Sequence, residues 1–313
     1  MSRKFLHFIF FVISFIGVTL TFYLCYNKIY FYTTSNYNLN TTNIQNTLPT
    51  NIVSFKVALI SDSHLNDEIF PLLKKSLDLY QPNLVIHAGD LTNFGSIAEL
   101  ANAKNELDSL NYSYIAIPGD HDVAQSSSED NFDKFFTYPE FKQTPYFKIL
   151  FIPNYFNFTP FEKNKFNSIL SQIESSDLII SSQPIYVDPN NIFADKYMGS
   201  FTAFENLNPT QKSNLNIYLD QRNQILKLIR KTTNPKLVIS GDHHRTSNFS
   251  DPENSLVTYH ILGSLSKYIY MGGTQLLQTS LQSNRYTQLN IIEATNKEFS
   301  YELREIELYN FKK

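Results

Sequence analysis

Four short segments of the chain concentrate carboxylates and imidazoles: Ser61-Asp62-Ser63-His64, Gly89-Asp90-Leu91-Thr92, Gly119-Asp120-His121-Asp122 and Gly241-Asp242-His243-His244. Taken singly each is a weak signal, because Gly-Asp is a common turn and an aspartate after a strand is often only a helix cap. Their shared position is more informative. Each follows a run of aliphatic and β-branched residues: Phe55 to Ile60, Leu84 to Ala88, Tyr114 to Ile117 and Leu237 to Ile239. If these runs are buried strands, Asp and His side chains from four of them meet at one sheet edge, where their charges repel unless a cation neutralises them. Carboxylate with imidazole suits Mn, Fe, Zn or Mg-like ions. Two such ions about 3.5 Å apart, sharing one carboxylate, can activate a hydroxide for in-line attack on phosphorus.

The elements that must position these groups follow from periodicity. Ile69, Leu72, Leu73, Leu77 and Tyr80 recur at helical spacing and stop before Pro82, and Ala98 to Leu110 also suits a helix. The start therefore reads βαβαβ, an α/β arrangement with helices covering the sheet and polar residues at the carboxyl ends of its strands. Leu178 to Ile180 is a further strand, leading into Ser181-Ser182-Gln183-Pro184. Asp220 to Lys231 is the clearest late helix. Val257 to Leu262, Tyr286 to Ile292 and Phe299 to Leu308 read as strands with short connections, which suggests a second sheet packed on the first. Two aromatic segments, Ala124 to Asn167 and Asp188 to Asn216, have no clean period and are expected to form a lid, a rim or surface excursions.

The order of the motifs resembles that of the calcineurin-like metallophosphoesterases: Asp-x-His, Gly-Asp, Gly-Asn-His-Asp or Glu, a His after a strand, then Gly-His-x-His. The resemblance covers about Phe55 to Arg245. It implies a two-sheet β-sandwich flanked by helices, two divalent ions (Mn, Fe, Zn or Mg) and hydrolysis of a phosphomonoester or phosphodiester substrate. Position by position, it implies that Asp62, His64, Asp90 and His244 hold the first ion and that Asp90 bridges to the second. It places His121 beside the substrate phosphate, to stabilise charge or protonate the leaving oxygen, with Asp122 in support.

The second metal site departs from the family pattern. Asp120 stands in place of Asn, Asp242 in place of the first His of Gly-His-x-His, and Ser182 in place of the strand-end His, with Gln183 beside it. Asp90, Asp120 and Asp242, with Ser182 or Gln183 as further candidates, would make an oxygen-rich site that favours a harder ion such as Mn, Mg or Ca over Zn. Two readings stay open: a working phosphoesterase with a variant second site, which two Asp replacements beside an intact first site favour, or a catalytically degenerate surface protein of the same fold that binds one metal and a partner. His243 either replaces the missing His through a one-residue shift or is a solvated loop side chain, which is the expectation here. His87 and His260 are expected to be core or rim histidines, and Thr92 and Asn93 to brace the Asp90 loop.

Composition narrows the function classes further. The 313 residues carry 26 Lys+Arg against 29 Asp+Glu, a net charge of −3, which leaves no electrostatic footprint for nucleic acid. Cys25 is the only cysteine, so an internal disulfide, a Cys-based zinc site and a Cys-x-x-Cys redox pair are excluded. Phe5 to Tyr26 is long and apolar enough to cross a bilayer as a helix. Arg3 and Lys4 before it place the amino terminus in the cytoplasm by the positive-inside rule. The expected organisation is a membrane anchor over 1–26, a flexible Asn- and Thr-rich linker over 27–51 and an extracytoplasmic domain over 52–313.

Overall fold

The computed structural model describes residues 54–126, 128–155, 159–188, 198, 207–266, 268–271, 274–277, 289–295 and 300–308. The expected anchor and linker lie outside these. Among the described residues no helix is long and apolar enough to cross a membrane.

Two sheets form the frame. The first has strands in the order β13-β12-β1-β2-β3, where β1 is Ser54–Ile60, β2 Leu84–His87, β3 Tyr114–Ala116, β12 Leu289–Thr295 and β13 Ser300–Ile306. Its β1, β2 and β3 are parallel, while β12 runs antiparallel to both β1 and β13. The second has the order β4-β5-β6-β7-β9-β8, with β4 Phe141–Gln143, β5 Lys148–Ile152, β6 Leu178–Ser181, β7 Lys236–Ser240, β8 Ser247–Ser250 and β9 Val257–Ile261. Here β5, β6, β7 and β9 are parallel and the two edge strands antiparallel. Strands β10 (Tyr268–Met271) and β11 (Thr274–Leu277) make a separate antiparallel pair.

Side-chain alternation explains why the two sheets stack. Successive residues of a strand point to opposite faces. Val57 and Leu59 of β1, Leu84 and Ile86 of β2, Ile149 and Phe151 of β5, and Leu237 and Ile239 of β7 pack into one cluster between the sheets. The intervening residues face helices. Ala58, Ile60 and Val85 meet Leu73 and Leu77 of α1 (Phe70–Tyr80) and Leu100 and Leu107 of α2 (Ile97–Ser109). Leu150, Ile179 and Val238 meet Ile169 and Ile173 of α4 (Lys163–Ile173) and Ile225 and Ile229 of α5 (Pro209–Arg230). One further helix, α3 (Asp120–Val123), is a single turn after β3. Because both faces of the central strands are buried, their sequences are unbroken apolar runs.

Local signals fix the helix ends. Ser96 and Glu99 form a reciprocal capping box at the start of α2, and Asn208 and Gln211 do the same for α5. Gln81 leaves α1 in the left-handed region, its N–H on the Leu77 carbonyl at 2.7 Å, and Pro82 bars continuation. The buried Lys236 ammonium, at the start of β7, donates to the Ile173 carbonyl at 2.8 Å and so caps the last turn of α4.

Three expectations need correction. The terminal strands β12 and β13 belong to the first sheet, where β12 covers the edge of β1 from Ser54↔Thr295 to Leu59↔Asn290, and only β9 of the late strands enters the second. Ala124 to Asn167 is not merely a surface excursion, since it contains β4, β5 and the start of α4, and β5 is a central core strand. Helix α5 begins at Pro209 rather than near Asp220. Most of the second aromatic segment lies outside the described residues.

Candidate metal centre

The four motifs come together from two sheets rather than along one sheet edge as expected: three follow the carboxyl ends of β1, β2 and β3 in the first sheet, and the fourth follows β7 in the second. One donor atom from each of Asp62, His64, Asp90 and His244 lies within 4.8 Å of the others. Asp90, Asp120 and His121 form a second set with the same spacing. Asp90 is common to both. His64 and His244 face each other with Nε2 atoms 3.2 Å apart, and His244 Nε2 is 3.4 Å from Asp62 Oδ1.

The electrostatics of these groups call for a cation. Burial, then the negative charges of Asp120, Asp62, Asp122 and Asp242, hold the Asp90 carboxyl well above the usual carboxylate range. Asp62 is raised in the same way, first by burial and then by the charge of Asp242, against the opposing effect of the Ser61 hydroxyl beside it and of the Asp242 N–H that its carboxylate accepts. Burial, followed by the nearby His244 and His121 rings, pushes His64 down to about 2, so its imidazole is neutral and keeps a lone pair for a ligand. Asp120 Oδ1 and Gln183 Oε1 are buried and have no hydrogen-bond partner among the described residues. Such orphaned oxygens are rare in native cores and fit a coordinated ion.

The backbone is strained in the motif loops. Eight described residues other than glycine have positive φ, and five of them are Asp62 (53°), His64 (45°), Asp90 (57°), Asp242 (73°) and His244 (54°). Each such residue costs on the order of 1–3 kcal/mol, which surrounding contacts must offset. Those contacts are visible for Asp62, whose carboxylate accepts the Asp242 N–H at 3.1 and 3.3 Å and whose carbonyl accepts the Ser264 hydroxyl at 2.8 Å.

The model of the calcineurin-like phosphoesterases matches residues 55–246, more than half of the sequence. The chain belongs to the calcineurin-like phosphoesterase family. Among solved structures, the purple acid phosphatase PPD1 of yellow lupin (Lupinus luteus) seeds is similar over 82% of this chain and 52% of its own, at 12% identity and a TM-score of 0.50. A dimetal phosphatase of Danio rerio is similar over 81% of this chain and 99% of its own, at 11% identity and a TM-score of 0.48. GAP50, the anchor in the inner membrane complex of Plasmodium, covers 80% of this chain and 84% of its own, at 15% identity and 0.49. No curated protein matches the sequence. At these identities the likeness concerns the fold alone.

Within this calcineurin-like framework several side chains sit differently from expectation. Asp242 joins neither donor set; its charge bears on Asp62 and Asp90, and its N–H is held by Asp62. Ser182 turns its hydroxyl to Asn154 Oδ1 at 3.2 Å, and the same oxygen accepts the Gln183 N–H at 3.0 Å. His243 is buried, so the expected solvated loop position is corrected. His87 and His260 are buried as well, the first against Ser63 Oγ at 3.1 Å and the second against Asn290 Oδ1 at 3.0 Å.

His121 is exposed and its ring stands edge-on to that of His64, with centroids 4.7 Å apart. Its Nδ1 lies 2.7 Å from the Asn93 carbonyl, which can only accept, so Nδ1 carries a proton and Nε2 is the free atom. The resemblance implies that Asp122 supports His121. Instead its buried carboxylate accepts the Leu91, Thr92 and Gly119 N–H groups and the Thr92 hydroxyl at 2.9–3.2 Å. Burial raises this carboxyl to about 6 against those hydrogen bonds. Asp122 thus ties the β2 loop to the β3 loop, and the partner that orients His121 is Asn93.

Gly119 is where the two loops touch. A Cβ there would lie 2.0 Å from Asp90 Oδ1 and 2.5 Å from Asp90 N. Gly119→Ala is therefore expected to displace the Asp90 carboxylate, weaken metal retention and destabilise the fold by about 1–3 kcal/mol. Metal analysis and thermal melting of the variant check this; full metal content at wild-type stability would contradict it.

Proposed function

We propose that this protein is a metal-dependent phosphoesterase in which Asp62, His64, Asp90 and His244 hold one divalent ion and Asp90 with Asp120 holds a second. The observation that carries the reading is the pair of donor sets sharing Asp90, on a chain whose family acts on phosphate esters. Bound ions supply the nucleophile, by lowering the pKa of water, and neutralise phosphate charge. The residues do the rest. The two donor sets fix where a phosphate oxygen sits, and the buried Asp62 and Asp90 carboxyls exchange their protons for the ions. His121, with Nδ1 committed to Asn93, presents Nε2 to the substrate to stabilise developing charge or protonate the leaving oxygen. Its exposure lets that proton exchange with solvent. The Asp90 and Asp120 carboxylates would favour Mn, Mg or Ca, and occupancy of this second position is what separates the reading from a single-metal binding protein.

For location we propose a single-pass anchor over Phe5 to Tyr26, with the phosphoesterase domain outside the cytoplasm, on the hydropathy and the flanking Arg3 and Lys4.

The test is turnover of an aryl phosphomonoester and an aryl phosphodiester by the full-length protein with Mn, Mg, Zn, Fe or Ca, with metal analysis in parallel. Metal-dependent hydrolysis is expected, and His121→Ala should lower kcat by about 10²–10⁴-fold. Unchanged metal content in that variant assigns His121 to the proton; loss of one ion assigns it as a ligand. A folded protein that retains no more than one ion and hydrolyses neither ester would overturn the reading.

A further inference from the structure

The loop that carries Asn93 is bolted down residue by residue. Thr92 Oγ1 donates to Asp122 at 2.9 Å and accepts the Gly95 N–H at 3.0 Å. The Asn93 carbonyl holds His121, the Phe94 carbonyl accepts the Gln125 N–H at 2.9 Å, and the Gly95 carbonyl accepts Asn131 Nδ2 at 3.3 Å. Gly95 has φ +66°, and a Cβ there would lie 2.1 Å from the Asp122 carbonyl oxygen. Yet the one large apolar side chain on this fixed loop is left out: Phe94 is 68% exposed, and Ile97, at the start of α2, is 44% exposed. Exposed apolar side chains scattered over a surface need no explanation. The other large ones among the described residues, Leu79, Ile217 and Leu256, are scattered in that sense, on α1, α5 and the turn before β9. Phe94 instead directly follows Asn93, whose carbonyl holds His121, and Ile97 comes three residues later in the chain.

In an in-line displacement the leaving oxygen is opposite the nucleophile, and a group that protonates it must lie on its side of phosphorus. The remainder of the leaving alcohol then extends past His121 and over the loop that positions it. The Phe94 Cα is about 3.8 Å from that of Asn93, within the reach of such a group. An aromatic ring on a backbone fixed in this way contributes contact area at a low backbone ordering cost.

We propose that Phe94 is a specificity-determining residue that packs on the alcohol esterified to the substrate phosphate, so that this centre takes esters of apolar and particularly aromatic alcohols. The proposal rests on the phosphoesterase reading for which side of the phosphate is the leaving side. Its test reads binding rather than turnover. The full-length protein loaded with Mn is titrated calorimetrically with phenylphosphonate and methylphosphonate, which share the phosphonate and differ in the group at Phe94. Wild type is expected to prefer the phenyl compound by about tenfold. Phe94→Ala should reduce the preference to about twofold or less, and Phe94→Leu should keep part of it. Substitution at so exposed a position leaves the core untouched, which an unchanged melting temperature verifies. Absence of the preference in wild type, or its persistence in Phe94→Ala, would overturn the proposal. A protein that shows the preference and hydrolyses no ester would sink the phosphoesterase reading while leaving Phe94 as a ligand contact. Hydrolysis with the preference intact in Phe94→Ala would do the reverse.

Discussion

Asp90→Asn should cost the protein its bound metal and about a thousandfold or more in turnover, while making the metal-free protein more stable than the metal-free wild type. Asp90 is the one residue common to both donor sets. Asparagine keeps the shape and keeps Oδ1 as acceptor for the His121 N–H, which it meets at 3.2 Å. What it removes is a charge. That charge is buried and surrounded by Asp120, Asp62, Asp122 and Asp242, whose repulsion helps to raise its pKa. Without ions the wild type must either bury the charge or keep a proton, and both oppose folding at neutral pH. Relief of about 1–2 kcal/mol corresponds to a rise of roughly 2–8 °C in Tm for a domain of this size. Asp90→Ala is less informative because it also strands the His121 N–H. The decisive comparison is of melting curves in chelator: a metal-free Asp90→Asn protein that melts below metal-free wild type would show that Asp90 has a structural rather than a metal-binding role.

How much of this was legible in the sequence depends on which constraint left a mark. The six donor residues stand out because strand ends, not sequence neighbours, bring them together, and the apolar runs of β1, β2, β3 and β7 locate those ends directly. The same logic reaches two contributors that composition hides. Asn154 follows β5 and Ser264 follows β9, both parallel strands of the second sheet, so they arrive at the same end as the motif after β7 and brace the Gln183 and Asp62 loops. Neither residue type announces itself, and β5 lay in a segment whose Phe and Tyr content masked a five-residue core strand. Asn93 acts through its carbonyl, which any residue possesses, so no sequence signal marks it. The sheet membership of β12 was unreadable for another reason: a strand at the far end of the chain can close either sheet, and register with β1 decides it.

Metal binding should be linked to protons in a defined window. Burial and neighbouring carboxylates hold Asp62 and Asp90 well above the usual carboxylate range, so the metal-free folded state holds protons that the unfolded chain has already lost. Stability of the metal-free protein therefore falls as pH rises through that interval. Buried His64, His87 and His260 act with the opposite sign. Their folded values are depressed to about 2, 3 and 4, so their contribution is lost as pH falls below 6.5 and is constant above it. Lys236, lowered by burial to about 8, adds a stabilising slope only above that value. Between pH 6.5 and 8 neither these histidines nor Lys236 adds a slope, so the raised carboxyls give the sign. Partly buried Glu106, raised to about 8 by burial and then by the nearby Asp67 carboxyl, also titrates there, but it belongs to neither donor set and hence acts equally with and without ions. The difference in Tm between Mn-loaded and chelated protein isolates the centre, and it should widen from pH 6.5 to pH 8. Calorimetric titration with Mn in two buffers of different ionisation enthalpy should report a net release of protons at pH 7. A Tm difference that stays flat over this range, with no proton release, would mean that Asp62 and Asp90 are already ionised without metal and that some other cation, such as a neighbouring side chain, balances them.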